Sequence, residues 1–123
     1  MEVMNRRVVA FVDDLIFSAK IRGTAESVGI KVDLPKSVEA FLDHAREAEP
    51  NLIIVDLHAR AIDSSAFAQA VKADPQLRGI PLLGFFSHVE TELQRRALES
   101  GFDHVLPRSA FTKRLAEILR GDL

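Results

Sequence analysis

Short continuous apolar runs constrain the fold of this chain more than any other feature of its sequence. Three runs, 7–12, 52–55 and 80–86, are rich in Val, Ile, Leu or Phe, and each stops at a polar residue. Runs of that length without polar alternation are typical of parallel strands that are buried on both faces. Two further segments, 29–34 and 102–106, mix polar with apolar residues and are predicted to be edge strands.

Five segments with helical spacing of apolar residues follow these five strands. Strands that alternate with helices predict a parallel sheet with right-handed crossovers. With strands one, three and four buried and strands two and five at the edges, the order is 2-1-3-4-5, an α/β flavodoxin-like doubly wound fold with five helices. The predicted helix caps are Ser37, Ser64 or Ser65, and Ser109 at the amino ends, and Gly29, Gly101 and Gly121 at the carboxyl ends.

Composition limits the classes of function. The 123 residues are enough for one domain, 1–123, and leave no room for a separate output domain. Lys and Arg total 16 against 18 Asp and Glu, so the basic excess that supports nucleic-acid binding is missing. The absence of Cys fits a reducing compartment, and the run 8–12 is too short for a signal peptide or a membrane span. We therefore expect a cytoplasmic protein that binds neither nucleic acid nor membranes.

Carboxylates follow two of the buried strands. Asp13 and Asp14 follow the first and Asp56 the third, and ligands meet doubly wound sheets at the carboxyl ends of their strands. Two carboxylates about 5 Å apart repel by roughly 3 kcal/mol at an effective dielectric near 20, so such a cluster tends to bind a cation. Mg²⁺ suits oxygen ligands of this kind. The alternative is that these carboxylates only cap helices and stay solvated.

Three segments together resemble a response-regulator receiver domain over almost the whole chain, 6–119. They are VVAFVDD at 8–14, PNLIIVDL at 50–57 and GFDHVL at 101–106. The resemblance implies a stand-alone two-component signalling protein that is not an enzyme, beyond accepting and hydrolysing a phosphoryl group on its own aspartate. It also implies a histidine kinase or another signalling protein as partner, and any output would pass through another protein.

The same resemblance implies roles for individual residues. Asp56 would be the phosphoacceptor, and Asp13 and Asp14 would hold Mg²⁺ together with Asp56. The backbone carbonyl of His58 would be a further metal ligand. Receivers usually pair through helix four, strand five and helix five, so a homodimer through that face stays open; its mixed charges are Arg95, Arg96, Glu99, Lys113 and Glu117.

Several positions depart from the receiver pattern. Phe86 stands where receivers carry the strand-four Thr or Ser, and Ser87, one position later, is a displaced hydroxyl. Arg108 replaces the family lysine, which is not a conservative exchange because guanidinium is a broad planar fork. Ser109 replaces the proline that follows this lysine, and Val105 replaces the aromatic switch residue. The moving parts of the usual relay are therefore absent, although the acidic residues remain.

These departures leave alternatives open. Arg108 either pairs bidentately with Asp56 or Asp13, which would neutralise the acids without metal, or points into solvent. In the first case the protein is a pseudo-receiver, a phosphorylation-independent interaction module. His58 and His88 flank the site and are either solvated loop residues or ligands of a transition metal. A small flavodoxin-like enzyme is a third interpretation, although the chain has no Gly-rich phosphate loop.

Overall fold

The computed structural model describes residues 6–60, 62–87 and 91–123. Five strands form one sheet in the order β2-β1-β3-β4-β5, and all four neighbouring pairs are parallel. The predicted fold class and strand order are confirmed. The strands are β1 (Arg7–Phe11), β2 (Lys31–Asp33), β3 (Leu52–Asp56), β4 (Leu82–Phe86) and β5 (His104–Pro107).

Six helices, rather than the predicted five, lie in the described residues. The last helical segment is divided at Arg114, whose φ of −107° and ψ of 15° leave the helical region. Two predicted amino-terminal caps are also corrected. Asp63 caps α3 in place of Ser64 or Ser65, and α5 starts directly after Pro107 with no side-chain cap. The helices are α1 (Leu15–Ser27), α2 (Val38–Ala48), α3 (Ser64–Ala73), α4 (Thr91–Ser100), α5 (Arg108–Lys113) and α6 (Leu115–Arg120).

The sheet separates two hydrophobic cores. Alternate residues of each strand point to opposite faces, so α2, α3 and α4 cover one face and α1, α5 and α6 the other. All five residues of β3 and of β4 are buried, whereas β2 and β5 are half-exposed. The apolar runs are thus central strands and the mixed segments are edge strands, as predicted.

Two close approaches fix how the elements meet. Gly84 in the middle of β4 leaves space for the Leu57 side chain, since a Cβ at this position would lie 2.8 Å from Leu57 Cδ2. At the other end of the sheet, Arg6 Nε donates to the Leu119 carbonyl at 2.6 Å, which ties the end of α6 to the start of β1. No helix in the described ranges is both long and apolar enough to cross a bilayer.

Candidate functional site

The carboxyl ends of four parallel strands bring the predicted site residues to one edge of the sheet. Asp56 is the last residue of β3, Ser87 follows β4 and Arg108 follows β5. Asp13 and Asp14 lie between β1 and α1. Residues distant in sequence meet here because parallel strands end at the same edge.

Asp56 is the buried acid of this site, with 7% of its surface exposed. Its Oδ1 accepts a hydrogen bond from the His58 backbone N–H at 2.9 Å. Burial raises the pKa of Asp56, while the His58 hydrogen bond and the Arg108 charge lower it and the Asp13 charge raises it. Asp13 and Arg108 are therefore both within electrostatic reach of this carboxylate.

Asp14 has both of its carboxylate oxygens engaged. It is the N-cap of α1, and Oδ1 accepts from the backbone N–H groups of Ile16 at 2.9 Å and Phe17 at 3.1 Å. Oδ2 accepts from Arg108 Nη2 at 3.0 Å. The Arg108 hydrogen bond, followed by the one from Phe17, holds the pKa of Asp14 below its usual value. Asp14 therefore caps α1, but it does not only cap a helix and stay solvated, because Arg108 also binds it.

Arg108 is held by three groups. Besides its contact with Asp14, its Cζ lies 4.0 Å from the centroid of the Phe17 ring, and Nη1 lies 3.5 Å from Ser87 Oγ. A guanidinium over an aromatic face adds a cation–π attraction to the ion pair. The structure corrects both sequence-based alternatives for this residue. Its partner is Asp14 through one hydrogen bond, rather than Asp56 or Asp13 through two, and it does not simply point into solvent.

Asp13 has a different role from its neighbour. It is exposed, and its Oδ2 accepts from the Arg60 backbone N–H at 3.0 Å. This bond fastens the loop after β3 to the end of β1, across 47 positions of sequence. Asp13 is therefore close enough to Asp56 for its charge to act on that carboxylate, but one of its oxygens already holds the loop after β3.

Each carboxylate of the predicted magnesium site already accepts a hydrogen bond within the protein. Within the described residues, no three His, Cys, Asp or Glu side chains are grouped so that they could hold a metal ion. The set of Asp13, Asp14, Asp56 and the His58 carbonyl stays a prediction. A magnesium ion that used Asp14 would have to compete with two backbone N–H groups and with the Arg108 guanidinium.

The remaining predicted positions have modest roles. Phe86 is 5% exposed and belongs to one hydrophobic core, so it offers no hydrogen-bond donor to the site. Val105 packs against the same core. Ser87 is exposed and contacts Arg108, and Ser109 is exposed. The prediction for His88 falls outside the described residues.

Phe17 belongs to the site through its contact with Arg108, although the sequence interpretation did not mark it as a site residue. It contacts Phe85 and Phe111 with ring centroids 5.2 and 5.9 Å away, and those two rings stack at 4.7 Å with 9° between their planes. Its position three residues after Asp14, the N-cap of α1, is a sequence feature that places it near the site. Nothing in the sequence indicated that Arg108 would lie over its ring.

Two of the three α4 charges proposed for a dimer face, Arg95 and Glu99, are paired within that helix. Arg95 forms ion pairs with Glu92 and Glu99, the latter at 2.7 Å. Such pairs along one helix are common on solvated faces. The homodimer stays a prediction.

Comparison with known proteins rests on structure alone, because no protein-family model and no curated protein sequence matches this chain. The chemotaxis response regulator CheY4 of Vibrio cholerae superimposes with a TM-score of 0.82 at 20% identity, over 96% of this chain and 98% of that one. The chain has the receiver-domain fold.

Other receiver-fold structures agree with this assignment. A response regulator described as putative, from Chloroflexus aurantiacus, has a TM-score of 0.83 at 17% identity, with 95% and 96% of the two chains covered. The receiver domain of the sensor histidine kinase PA1611 from Pseudomonas aeruginosa has a TM-score of 0.81 at 16% identity over 94% of each chain. That receiver domain holds a magnesium ion in its active-site cleft.

Proposed function

We propose that this receiver-fold chain acts in two-component signalling as an interaction module whose acidic site is closed by Arg108 and not by a metal ion. The observation that carries the proposal is the contact between Arg108 Nη2 and Asp14 Oδ2 at 3.0 Å. The partner is a histidine kinase or another signalling protein, because structures of the same fold include response regulators and the receiver domain of a sensor histidine kinase.

Charge balance supports a closed site. Arg108 places a permanent positive charge against Asp14 and within electrostatic reach of Asp56. A divalent ion that used Asp14 would have to displace the guanidinium and compete with two backbone N–H groups. Arg108 therefore does the neutralising that a cation would do, and it favours one conformation of the site.

The residues around Arg108 also support a fixed state. Phe86 fills the core position where a hydroxyl would be needed next to a phosphoryl group, and Val105 is packed at the position of the switch aromatic. Neither side chain can make the paired movement that the receiver pattern implies. An interaction module of one constant conformation is the function that this geometry favours.

Phosphorylation of Asp56 with Mg²⁺ is the second candidate. It is supported by the position of Asp56 at the end of β3, beside Asp13 and the backbone of His58. The magnesium-bound receiver of PA1611 and the Mn²⁺-bound response regulator Rcp1 share the fold. A magnesium ion that also used Asp14 would require Arg108 to leave that carboxylate.

Intact-mass spectrometry after treatment with acetyl phosphate and Mg²⁺ separates the two candidates. We expect no phosphoryl adduct on the wild-type protein under conditions that modify an ordinary receiver run in parallel. A wild-type adduct that disappears in Asp56→Asn would overturn the closed-site proposal and establish the second candidate.

A Mg²⁺ titration by calorimetry tests the role of Arg108 directly. We expect Arg108→Ala to bind Mg²⁺ more tightly than wild type, because Asp14 then loses its competing cation. Arg96→Ala removes one exposed arginine of α4 and is the matched control. Equal Mg²⁺ affinity in wild type, Arg108→Ala and Arg96→Ala would show that Arg108 does not act as the internal cation.

A further inference from the structure

A cavity lies next to the acidic site, between α1, the end of β1 and the loop from β2 to α2. Its volume is about 310 Å³, at the lower end of the roughly 300–1,000 Å³ typical of small-molecule pockets. Leu15, Ser18 and Arg22 line it from α1, where spacings of three and four residues place them on one face. Leu34, Pro35 and Lys36 follow β2 and form the opposite wall, so the cavity has both apolar and charged walls.

Two cations in this lining are uncommitted. Arg22 and Lys36 are exposed, and in the ranges that the structure describes neither side chain has an ion-pair or hydrogen-bond partner. Arg108, at the start of α5, is by contrast held by Asp14 and by the Phe17 ring. The positive charge of the cavity is therefore available to a ligand.

Ser18 adds an uncharged polar group to the lining. Its residue is 9% exposed, and its side chain lines the cavity. The backbone N–H bonds to the Asp14 carbonyl, but the hydroxyl has no hydrogen-bond partner among the residues of the described ranges. The hydroxyl is thus free to donate a hydrogen bond to a ligand oxygen in the cavity.

Apolar surface beside these polar groups is unusually exposed. Leu15 is 74% exposed although it belongs to the first turn of α1, and Leu34 and Pro35 face it across the cavity. An apolar ligand body would remove this surface from water. The cavity therefore suits a molecule with one polar end and one apolar end.

We infer that this cavity binds a small organic monocarboxylate with an apolar body. The carboxylate would accept hydrogen bonds from Arg22, Lys36 and Ser18, and the body would pack against Leu15 and its opposite wall. Asp13 also lines the cavity. Two cations and one carboxylate leave a net charge of +1, which favours a monoanion over a dianionic phosphate ester. The inference does not depend on the proposed function.

NMR titration of the ¹⁵N-labelled protein with phenylacetate tests the inference. We expect saturable shifts of the amide signals of Ser18, Arg22 and Lys36. Arg22→Gln and Lys36→Gln should each weaken binding roughly fivefold, because each removes one partly solvated charge contact. Ser18→Ala should weaken it through loss of the hydroxyl. Lys20→Gln, an exposed α1 position outside the cavity lining, is the matched control and should leave the affinity unchanged.

Two further probes define the ligand class. Equal binding of neutral 2-phenylethanol would overturn the carboxylate assignment, since it would show recognition of the apolar body only. Tighter binding of phenyl phosphate would overturn the preference for a monoanion. Shifts that do not saturate, or the same loss of affinity in Lys20→Gln as in Arg22→Gln, would overturn the site itself. Because none of these measurements uses acetyl phosphate or Mg²⁺, their outcome is separate from that of the Asp56 experiment.

Discussion

Gly84→Ala is a sharp test of how the core next to Asp56 is packed. The added Cβ would lie 2.8 Å from Leu57 Cδ2, 3.0 Å from Leu57 Cγ and 3.1 Å from Phe102 Cδ2. Favourable carbon–carbon contacts lie at about 3.5–4.0 Å. Leu57 has little freedom to retreat, because it is 6% exposed and its backbone N–H is bonded to the Phe85 carbonyl at 2.9 Å.

The expected loss of stability follows from two opposing effects. Inserting a methyl group into a filled core costs about 1–3 kcal/mol, and replacing glycine by alanine recovers about 0.4–1 kcal/mol by restricting the unfolded chain. The midpoints of the two ranges leave a net destabilisation of about 1.3 kcal/mol. For a chain of this size, each kcal/mol lowers the melting temperature by about 4 °C.

Urea unfolding and thermal melting followed by circular dichroism measure this effect. Gly23→Ala is the matched control, because a Cβ there has nothing within 4 Å. Gly23 lies inside α1, so alanine should stabilise the protein by about 0.5–1 kcal/mol. A neutral or stabilising Gly84→Ala would refute the packing argument.

A double-mutant cycle with Leu57→Ala identifies the clashing neighbour. Leu57→Ala alone should cost about 2–5 kcal/mol, as for other buried leucines. In the double variant, the methyl group at position 84 occupies part of the space that Leu57 leaves. The combined loss should therefore be smaller than the sum of the single losses by about 1 kcal/mol. Strict additivity would show that the strain arises against Phe102 instead.

Three further predictions concern the charged groups. Arg108→Ala should raise the pKa of Asp14 towards its ordinary value of 3.8. The lowered pKa of the folded state contributes stability that is present above this value and is lost as pH falls through the lowered pKa, so the variant should lose part of that contribution. Carboxyl NMR titration measures the pKa, and an unchanged value would contradict the contact. Asp56→Asn should stabilise the protein at neutral pH, because burial raises the pKa of Asp56 and its contribution to stability is lost as pH rises through that raised value; a gain that persists at pH 3 would contradict this cause. Asp103→Ala should cost about 1–2 kcal/mol in urea unfolding, because its Oδ2 accepts from the Leu82 backbone N–H at 2.8 Å, whereas Asp103→Asn keeps an acceptor and should cost less.

The central strands were predictable because burial on both faces leaves an unbroken apolar run. The segments that became β3 and β4 have no polar alternation, and the edge strands β2 and β5 do. This difference, together with the doubly wound arrangement of alternating strands and helices, predicted the strand order. The break at Arg114 was not predictable in the same way, because the apolar spacing continues through it from Phe111 to Leu115 and Ile118.

The site was predictable in position but not in its contacts. The carboxyl ends of parallel strands bring Asp56 and Arg108 to the edge that carries Asp14. Which acid Arg108 contacts depends on side-chain geometry between residues 94 positions apart, with Phe17 as a supporting surface. Sequence spacing carries no information on such a choice. A helix-capping role for this acid was predictable, and it explains why the Asp14 side chain is oriented towards α1.

The bond between Arg6 and the Leu119 carbonyl has a consequence for fusions. It joins the start of β1 to the end of α6 at the amino-terminal edge of the sheet, and Asp14 lies at the opposite, carboxyl-terminal edge. A reporter or effector joined before Arg6 or after Gly121 would start from the amino-terminal edge, about five strand residues away from the acidic residues. An attachment at this edge leaves the carboxyl-terminal edge open to a partner. A conformational change at the acidic residues would have to pass along β1 or α6 to reach the attached module.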